Sequence, residues 1–288
     1  MKKVLLAGAT GYLGKFILDE LQKRDYSTVA LTRNRQIDNF DDQSGIEIKY
    51  ADVTKPETLS GICKGVDYVI STVGITKQKD GLTYMDVDYQ ANLNLLNEAI
   101  NNGVSKFIYV SVLNGEKLRH LKICEAKEKF VDDFKNSGID YSIIRPNGFF
   151  SDMSEFHTMA SKGKIYLFGD GEYKVNPIHG EDLAEICVKA IEQNKTEIEV
   201  GGPEILTHNQ IAETAFAAVG KPVKISHIPN SLRKIILSLI RTFTSSKTYG
   251  PIEFFMTVMA MDMVASKNGK HSLKEYFAEL TETGKNNE

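Results

Sequence analysis

The feature that most constrains the fold of this chain is a set of three regularly spaced glycines near its N-terminus. Gly8, Gly11 and Gly14 follow the apolar run Val4–Ala7 and open the helix-patterned stretch Tyr12–Lys23. In a strand–turn–helix unit, such glycines allow a tight turn, a close approach of a pyrophosphate to the backbone, and close packing of the helix on the strand. The first N–H groups of the helix then face the phosphates. The predicted dinucleotide contacts are Gly8, Thr10, Gly11, Tyr12, Leu13 and Gly14.

Short apolar runs alternate with helix-patterned stretches through the first two-thirds of the chain. These runs lack the polar alternation of half-exposed strands, which indicates a parallel sheet covered on both faces. The predicted strands are Val4–Ala7, Thr28–Thr32, Ile46–Tyr50, Tyr68–Ser71, Phe107–Val112 and Tyr141–Ile144. Helices are predicted over Tyr12–Lys23, Val87–Asn101 and Ala126–Lys135. The fold class that follows is α/β, with a doubly wound parallel sheet of the Rossmann type.

The pattern loosens after Pro146, where three glycines predict a loop or hairpin region. These glycines are Gly163, Gly169 and Gly171. Helices at Gly180–Ile191 and His208–Val219, strands at Ile198–Val200 and Val223–His227, and three more helical stretches are predicted beyond them. We therefore expect an NAD(P)-binding core over residues 1–202, in which residues 147–178 contribute to a substrate cap. A smaller α-rich lobe is expected over residues 203–288.

The end of the second predicted strand indicates which dinucleotide binds. An NAD site usually places Asp or Glu here to bind the ribose 2′-hydroxyl, and this chain has no carboxylate between Leu31 and Asp38. A guanidinium can instead pair with a 2′-phosphate. We therefore predict NADP(H) rather than NAD(H), with Arg33 as the principal contact and Asn34 and Arg35 beside it.

Two further segments are expected to contact the cofactor because each follows a predicted strand. Asp52 and Val53 come after the third strand, and Ser71, Thr72, Val73 and Gly74 come after the fourth. Open parallel sheets bind their ligands beyond the carboxyl ends of the strands. We expect the first segment to lie near the adenine and the second near the nicotinamide.

The composition restricts the classes of partner. Thirty-five Lys and Arg residues nearly balance 38 Asp and Glu residues, for a formal net charge of −3, whereas nucleic-acid binding usually needs a basic excess. Six histidines without metal-ligand spacing predict no metal site. Three scattered cysteines and the lack of a secretory signal favour a reducing, cytoplasmic location. No apolar run is long enough to predict an integral membrane segment.

These motifs together resemble an atypical short-chain dehydrogenase/reductase of the NmrA-like branch. The resemblance is carried by the glycine turn, Ala51-Asp52-Val53, Ser111, Lys127 and Ile143-Ile144-Arg145-Pro146. It continues through Phe168-Gly169-Asp170-Gly171, Glu181-Asp182-Leu183-Ala184 and Ser272–Phe277. The branch is similar to divinyl chlorophyllide reductases and to the 39-kDa accessory subunit of respiratory complex I. It implies a monomer or a loose homodimer that acts on a small molecule.

The family usually uses a serine, a tyrosine and a lysine, with the tyrosine four residues before the lysine. The resemblance assigns Ser111 and Lys127 to this set, and gives Lys127 the further role of binding the nicotinamide ribose. The tyrosine position holds Ile123, whose side chain cannot transfer a proton. Ordinary interconversion of alcohols and ketones is therefore not expected. Pro146 and Asn147, after a strand end, are further predicted cofactor contacts.

The missing tyrosine leaves several functions open. One is an NADP(H)-dependent reductase of an apolar organic substrate, with hydride passing to a polarised double bond and a proton coming from solvent. Another is an NADP(H)-binding redox sensor or assembly factor without turnover. A third is a reductase with a substitute acid, for which Tyr166, Tyr173 and His179 are candidates. Nucleotide-sugar epimerase or dehydratase chemistry is weaker, because it commonly uses the missing tyrosine.

Two stretches near the C-terminus suggest an apolar lid. Ser231–Phe243 has apolar residues at helical spacing, and Ile252–Val264 contains four methionines. We expect the first helix to pack on the core by this stripe, with membrane-surface attachment as the alternative. Flexible thioethers suit an adaptable apolar pocket. The two helices are therefore predicted to cover the nicotinamide and to favour a hydrophobic substrate.

Overall fold

The computed structural model describes residues 1–33, 45–76, 78 and 81–285. Its strands are β1 (Lys3–Ala7), β2 (Ser27–Thr32), β3 (Ile46–Tyr50), β4 (Tyr68–Ser71), β5 (Lys106–Val110), β6 (Asp140–Pro146), β7 (Ile165–Phe168), β8 (Lys174–Val175), β9 (Glu197–Val200), β10 (Leu206–Thr207) and β11 (Ile225–Ile228). Its α-helices are α1 (Tyr12–Lys23), α2 (Asn92–Asn101), α3 (Lys122–Lys135), α4 (Phe150–Ser161), α5 (Gly180–Lys189), α6 (His208–Ala218), α7 (Asn230–Phe243), α8 (Ser246–Val258) and α9 (Leu273–Lys285).

The chain divides into two compact units that each use two stretches of sequence. The first unit contains Met1–Arg145 and Leu183–Ile198, and the second contains Pro146–Asp182 and Glu199–Glu288. The chain therefore passes into the second unit, returns to the first and leaves it again. The roles that we predicted for residues 1–202 and 203–288 stay predictions.

Within the described residues, seven strands form one sheet in the order β3-β2-β1-β4-β5-β6-β9. The neighbouring pairs from β3 to β6 are parallel, and Leu5 of β1 lies opposite both Val29 of β2 and Val69 of β4. The strand order reverses between β1 and β4, which is where sheets of this kind form a ligand crevice beyond their carboxyl ends. The predicted doubly wound parallel sheet is confirmed.

The central strands of the sheet are buried on both faces, which explains why they consist of continuous apolar runs. Successive side chains of a strand point to opposite faces, yet all of Val4–Leu6 in β1 are fully buried. On one face, Tyr109 of β5 packs on Phe130 of α3 with ring centroids 4.6 Å apart, and Phe107 packs on Phe134 at 5.1 Å. Such aromatic pairs contribute about 0.5–1.5 kcal/mol beyond the area they bury.

The helix predicted over Val87–Asn101 begins with a π-helix at Met85–Ala91 and continues as α2. Asp88 and Asn92 both lie on its buried side. The Asn92 amide nitrogen donates to the carbonyl oxygen of Asp88 at 3.0 Å, which supports the wider turn. Such π-turns are rare and are frequent at functional sites.

The second unit contains two small sheets and several helices. β7 pairs parallel with β11, and β8 pairs antiparallel with β10. Helices α4, α6 and α9 pack on one another and bury Phe156, Phe216 and Phe277. The sequence pattern did not predict α4. Its first turn is closed by the Asp152 carboxylate, which accepts a 3.0 Å hydrogen bond from the Phe149 backbone N–H.

Helices α7 and α8 differ from the prediction. Leu237 is the buried residue of α7, so the expected packing of its apolar stripe on the core is wrong. Four stripe residues are between 45% and 78% exposed, namely Leu232, Ile235, Leu239 and Phe243. The helix predicted over Ile252–Val264 is also wrong, because α8 ends at Val258. Beyond it, the Met263 N–H donates to the Lys174 carbonyl oxygen at 2.8 Å, which draws the chain beside β8.

Candidate functional site

Glycine is required at two positions of the turn between β1 and α1. Gly8 has a φ of +88°, in the left-handed region, and a Cβ there would overlap the Thr72 hydroxyl. A Cβ on Gly14 would overlap the Gly8 carbonyl oxygen and lie 2.9 Å from the Ala9 backbone. Gly8 therefore permits the turn and the approach of Thr72. Gly14 permits the helix to start directly against the turn.

The N-terminus of α1 presents backbone donors beside this turn. Thr10 and Gly11 are exposed, and Gly11 is the N-cap residue, with no side chain to cap the helix. The first turn contains no acidic residue, so the positive end of the helix dipole is not neutralised locally. Tyr12 is half-buried and Leu13 is buried. Uncapped N–H groups in a cradle without side chains fit the pyrophosphate of a dinucleotide.

The segment after β4 lies directly against the glycine turn. Thr72 donates both its backbone N–H and its hydroxyl to the Ala7 carbonyl oxygen, at 3.0 and 3.2 Å. This contact joins the carboxyl ends of β1 and β4, where the strand order of the sheet reverses. The structure thus brings two of the predicted cofactor segments together at the expected ligand crevice.

The π-helix and the start of α2 hold the loop Ser71–Gly74 in place. The buried Ser71 hydroxyl donates to the Asn92 side-chain oxygen at 2.6 Å, and the Asn92 amide donates to the Val73 carbonyl oxygen at 3.1 Å. Ser71 and Val73 therefore fix the loop from inside, while Gly74 is exposed. Any cofactor contact of Ser71 would have to use its backbone.

Lys127 of α3 forms a buried ion pair beside Gly74. Its ammonium nitrogen lies 2.8 Å from Asp88 Oδ1, with the Asp88 side chain fully buried and that of Lys127 12% exposed. A Cβ on Gly74 would lie 2.7 Å from Asp88 Oδ1 and 2.8 Å from Lys127 Nζ. The lysine also lies 5.7 Å from the centroid of the Tyr109 ring. A cation is thereby fixed next to the loop predicted to contact the nicotinamide.

Burial and charge together set the protonation of this cluster. Burial lowers the pKa of Lys127, but the Asp88 carboxylate and Tyr109 outweigh it and hold that pKa above its usual value. Burial raises the pKa of Asp88, and Lys127 opposes this shift. Burial also raises the pKa of Tyr109 and of the Cys124 thiol to about 12 each. Lys127 is therefore charged at neutral pH, while the phenol and the thiol are protonated.

The predicted catalytic residue Ser111 belongs to a second buried network. Its hydroxyl donates to Glu128 Oε1 at 3.2 Å. Arg145 donates to both oxygens of Glu128, at 2.6 and 3.0 Å, and to Glu197 at 2.9 Å. Burial lowers the pKa of Arg145, but the two carboxylates raise it by more, so the guanidinium stays charged. The Ser111 hydroxyl is thus held at the carboxyl end of β5 by Glu128.

The predicted adenine and ribose contacts lie after β2 and β3. Arg33 directly follows β2 and is exposed. Asp52 Oδ1 accepts hydrogen bonds from the backbone N–H and the hydroxyl of Thr54, at 3.0 and 2.7 Å, and so forms the turn after β3. Val53 is buried. Asn34 and Arg35 lie outside the described residues.

Comparison with known families agrees with this geometry. A family model described as NAD(P)H-binding matches residues 8–194, starting at the glycine turn. The chain belongs to this NAD(P)H-binding family.

This NAD(P)H-binding protein is also similar to curated relatives, and it shares its fold with solved structures. It is 26% identical to the divinyl chlorophyllide a 8-vinyl-reductase of Arabidopsis thaliana, over 98% of this chain and 77% of that one. It is 26% identical to the photosystem II assembly factor Ycf39 of Guillardia theta, over 80% and 74%. The NADPH-dependent quinone oxidoreductase of Escherichia coli, solved with NADPH, shares the fold with a TM-score of 0.72, 18% identity, and coverage of 96% and 99%. The predicted NmrA-like, atypical short-chain dehydrogenase/reductase class is confirmed.

This NAD(P)H-binding protein departs from the usual serine–tyrosine–lysine set at Ile123. Ile123 and Lys127 lie one helical turn apart on α3, so they occupy the same side of the helix. Ile123 is 5% exposed and offers no acidic proton. The neighbouring Cys124 is buried with its pKa raised, as expected of a packing residue rather than an acid.

Pro146 and Asn147 fall in the second unit. The Asn147 amide donates to Asn176 Oδ1 at 2.9 Å and to the Met263 carbonyl oxygen, and its own oxygen accepts from the Gly148 N–H. These bonds lie within the second unit and fix the chain after β6. That these two residues contact the cofactor stays a prediction.

The sequence analysis missed Asp88, Asn92 and Glu128. Each is an almost fully buried polar residue in a helical stretch, and a buried charge requires a partner. That requirement is the only signal the sequence offers, because the partners Lys127 and Arg145 are distant along the chain. The pairs become visible only in the folded structure.

No helix in the described part of the chain combines the length and apolarity that a membrane span needs. The relatives include a chloroplastic enzyme. The predicted cytoplasmic location and the predicted monomer or loose homodimer stay predictions.

Proposed function

We propose that this protein is an NADP(H)-dependent reductase that adds hydride to a polarised carbon–carbon double bond of an apolar organic acceptor. The observation that carries the proposal is the buried Lys127–Asp88 pair beside Gly74, combined with isoleucine at the tyrosine position. The first feature provides a fixed cation at the nicotinamide end of the crevice. The second removes the proton donor that a carbonyl reductase of this class uses.

The cofactor is proposed to be NADP(H), held by the first unit. The backbone N–H groups at the N-terminus of α1 bind the pyrophosphate, and Arg33 at the end of β2 pairs with the ribose 2′-phosphate. The Escherichia coli quinone oxidoreductase of the same fold was solved with NADPH. The end of β2 offers no carboxylate to bind a 2′-hydroxyl, which disfavours NAD(H).

Lys127 is proposed to bind the hydroxyls of the nicotinamide ribose. Asp88 holds its ammonium in place and keeps it charged, so that no reorganisation is needed when the cofactor arrives. The Ser111 hydroxyl, which donates to Glu128, is proposed to orient the reducible molecule by accepting a hydrogen bond at the carboxyl end of β5. When bound, the reduced nicotinamide supplies the hydride.

Hydride adds to one carbon of the double bond, and the other carbon needs a proton, which is proposed to come from water. Reduction of a conjugated double bond leaves negative charge that is delocalised and can be protonated by solvent, whereas a ketone oxygen needs a donor in place. Ile123 cannot be that donor. The name of one relative, an 8-vinyl-reductase, supports a carbon–carbon double bond as the reducible group.

The experiment is a stopped-flow measurement of NADPH oxidation with matched acceptors. An α,β-unsaturated ketone is compared with its saturated counterpart, and quinones extend the panel. We expect oxidation with the unsaturated ketone and none with the saturated one. Lys127→Met should lower the rate by about 100-fold, since misplacing the cofactor costs this much. Lys122→Met is the matched control, because Lys122 lies on the same helix with its side chain 48% exposed.

Reduction of the saturated ketone at an equal rate would contradict the proposal. Tight NADPH binding without oxidation by any acceptor would favour the second candidate, an NADP(H)-binding sensor or assembly factor. Ile123 and the similarity to the assembly factor Ycf39 are the observations in favour of that candidate.

A further inference from the structure

A cluster of metal-ligating side chains lies in the second unit, apart from the residues discussed above. His179 precedes α5, Glu181 and Asp182 lie in its first turn, and His271 precedes α9. One ligand atom each of His179, Glu181 and His271 lies within 4.8 Å of the others. The two histidines are far apart along the chain, so their spacing gave no indication of a site. The sequence predicts no metal site, whereas the folded chain brings together a candidate ligand set.

His271 is oriented by a buried carboxylate. Its Nδ1 lies 2.9 Å from Asp182 Oδ1. The other oxygen of Asp182 accepts the backbone N–H groups of Lys270 and His271, both at 3.1 Å. Gly269 precedes them with a φ of +83°, and a Cβ there would overlap the Asp182 carboxylate. The loop is thus built around Asp182, which is only 3% exposed.

This arrangement places the second ring nitrogen of His271 next to Glu181. A carboxylate that accepts the Nδ1 proton leaves Nε2 as the free donor atom of a neutral imidazole, as in carboxylate–histidine–zinc sites. Nε2 lies 3.4 Å from Glu181 Oε2. A lone pair facing a carboxylate is repulsive unless the ring is protonated or a cation lies between them. The geometry therefore calls for a positive charge at this point.

His179 provides the second imidazole. Its ring centroid lies 4.3 Å from that of His271, with 36° between the planes. Its Nδ1 accepts a long hydrogen bond of 3.3 Å from the Glu181 N–H. A ring bound to metal through Nε2 carries its proton on Nδ1 and gives up this contact.

We propose that His179, His271 and Glu181 bind a divalent transition metal, with Zn²⁺ as the best match, and that Asp182 positions His271. Two imidazoles and one carboxylate suit zinc. In a tetrahedral site with bonds of about 2.1 Å, the ligand atoms lie about 3.4 Å apart. The three ligand atoms lie within 4.8 Å of one another, so small side-chain rotations bring them to the distances that the metal requires. Three protein ligands leave a fourth position for water, as in catalytic rather than structural zinc sites.

The test is calorimetric titration of the full chain, stripped with chelator, with Zn²⁺ alone. Co²⁺ titration followed by visible absorption reports the coordination geometry. We expect one equivalent to bind, with a tetrahedral Co²⁺ spectrum. His271→Asn and Glu181→Gln should weaken binding at least tenfold, and Asp182→Asn should weaken it about 10- to 100-fold. His120→Asn is the matched control, because His120 is exposed and lies in the first unit.

Circular dichroism of each variant separates loss of ligand from loss of fold. If Asp182→Asn unfolds the loop, His271→Asn and Glu181→Gln still decide the question, since both side chains are partly exposed. Absence of saturable Zn²⁺ and Co²⁺ binding would overturn the proposal. Wild-type affinity in His271→Asn, or equal loss in His120→Asn, would overturn it as well.

Discussion

The substitution Asp88→Asn would leave the ammonium of Lys127 buried without its counter-ion. The introduced amide oxygen could still accept the hydrogen bond that the Ile75 N–H donates to Asp88 Oδ2 at 3.3 Å, so the change removes mainly charge. Deleting one partner of a buried ion pair costs about 3–5 kcal/mol. The Lys127 side chain retains 12% exposure, which places the expected loss of unfolding free energy near the lower end, at about 3 kcal/mol.

A double variant isolates the charge effect. Asp88→Asn with Lys127→Met removes both charges, and a paired replacement of this kind is often close to neutral. We therefore expect the double variant to be more stable than Asp88→Asn alone. Glu125→Gln is the control, since its pair with Lys122 is about half-exposed and contributes less than about 1 kcal/mol.

Urea denaturation of the cofactor-free protein, followed by tyrosine fluorescence and far-ultraviolet circular dichroism, gives the free energies. Tyrosine is the fluorescent probe because the chain has 12 tyrosines and no tryptophan. If Asp88→Asn lowers the unfolding free energy by less than about 1 kcal/mol, the Lys127–Asp88 pair behaves as a solvent-exposed ion pair and not as a buried one. A double variant that loses the sum of both single effects would refute the argument that the two charges depend on each other.

Three further predictions concern the cofactor turn, the cofactor choice and the pH dependence. Arg33→Glu should raise the Kd of NADPH by about 10- to 100-fold in fluorescence titration, and an equal rise for NADH would contradict the role of Arg33. Gly14→Ala should lower the unfolding free energy by about 1–3 kcal/mol, although alanine normally favours a helix. Gly148→Ala, which has room for a Cβ, should be near neutral in the same urea assay. Burial lowers the pKa of His208 to about 4, so the unfolded chain binds its proton first as the pH falls. Through His208, stability should therefore drop by about 3 kcal/mol between pH 6.5 and 4, and His208→Gln should reduce the measured drop by this amount in urea titrations across that range.

The sheet was predictable because its central strands, β1, β2, β4, β5 and most of β6, are buried on both faces. β4 has the predicted bounds, Tyr68–Ser71, and β1 differs by one residue from the predicted Val4–Ala7. The end of α8 was not predictable, because it depends on the bond between the Met263 N–H and the Lys174 carbonyl oxygen. That bond joins distant parts of the chain and leaves no periodic signal.

The residues of the candidate site likewise include some that the sequence indicates and others that it does not. The glycine turn and Lys127 belong to local motifs, so the sequence indicates them directly. Asp88 lies beside apolar residues that follow a regular helical spacing. The π-helix Met85–Ala91 holds its side chain against Lys127. The meeting of His179 with His271 likewise depends on how α5 and the segment before α9 fold together. The spacing of residues along the sequence cannot indicate such contacts, because they join residues that are close in space but distant along the chain.

The central claim is hydride transfer to carbon without a tyrosine acid, and isotope transfer tests it most directly. NADPH carrying deuterium at the nicotinamide C4 position is incubated with the protein and an α,β-unsaturated ketone in ordinary water. Mass spectrometry and NMR then locate the label in the product. We expect one deuterium on the carbon of the former double bond and an adjacent hydrogen from solvent. Deuterium on a newly formed alcohol carbon, or bound NADPH that yields no labelled product with any conjugated acceptor, would contradict the account.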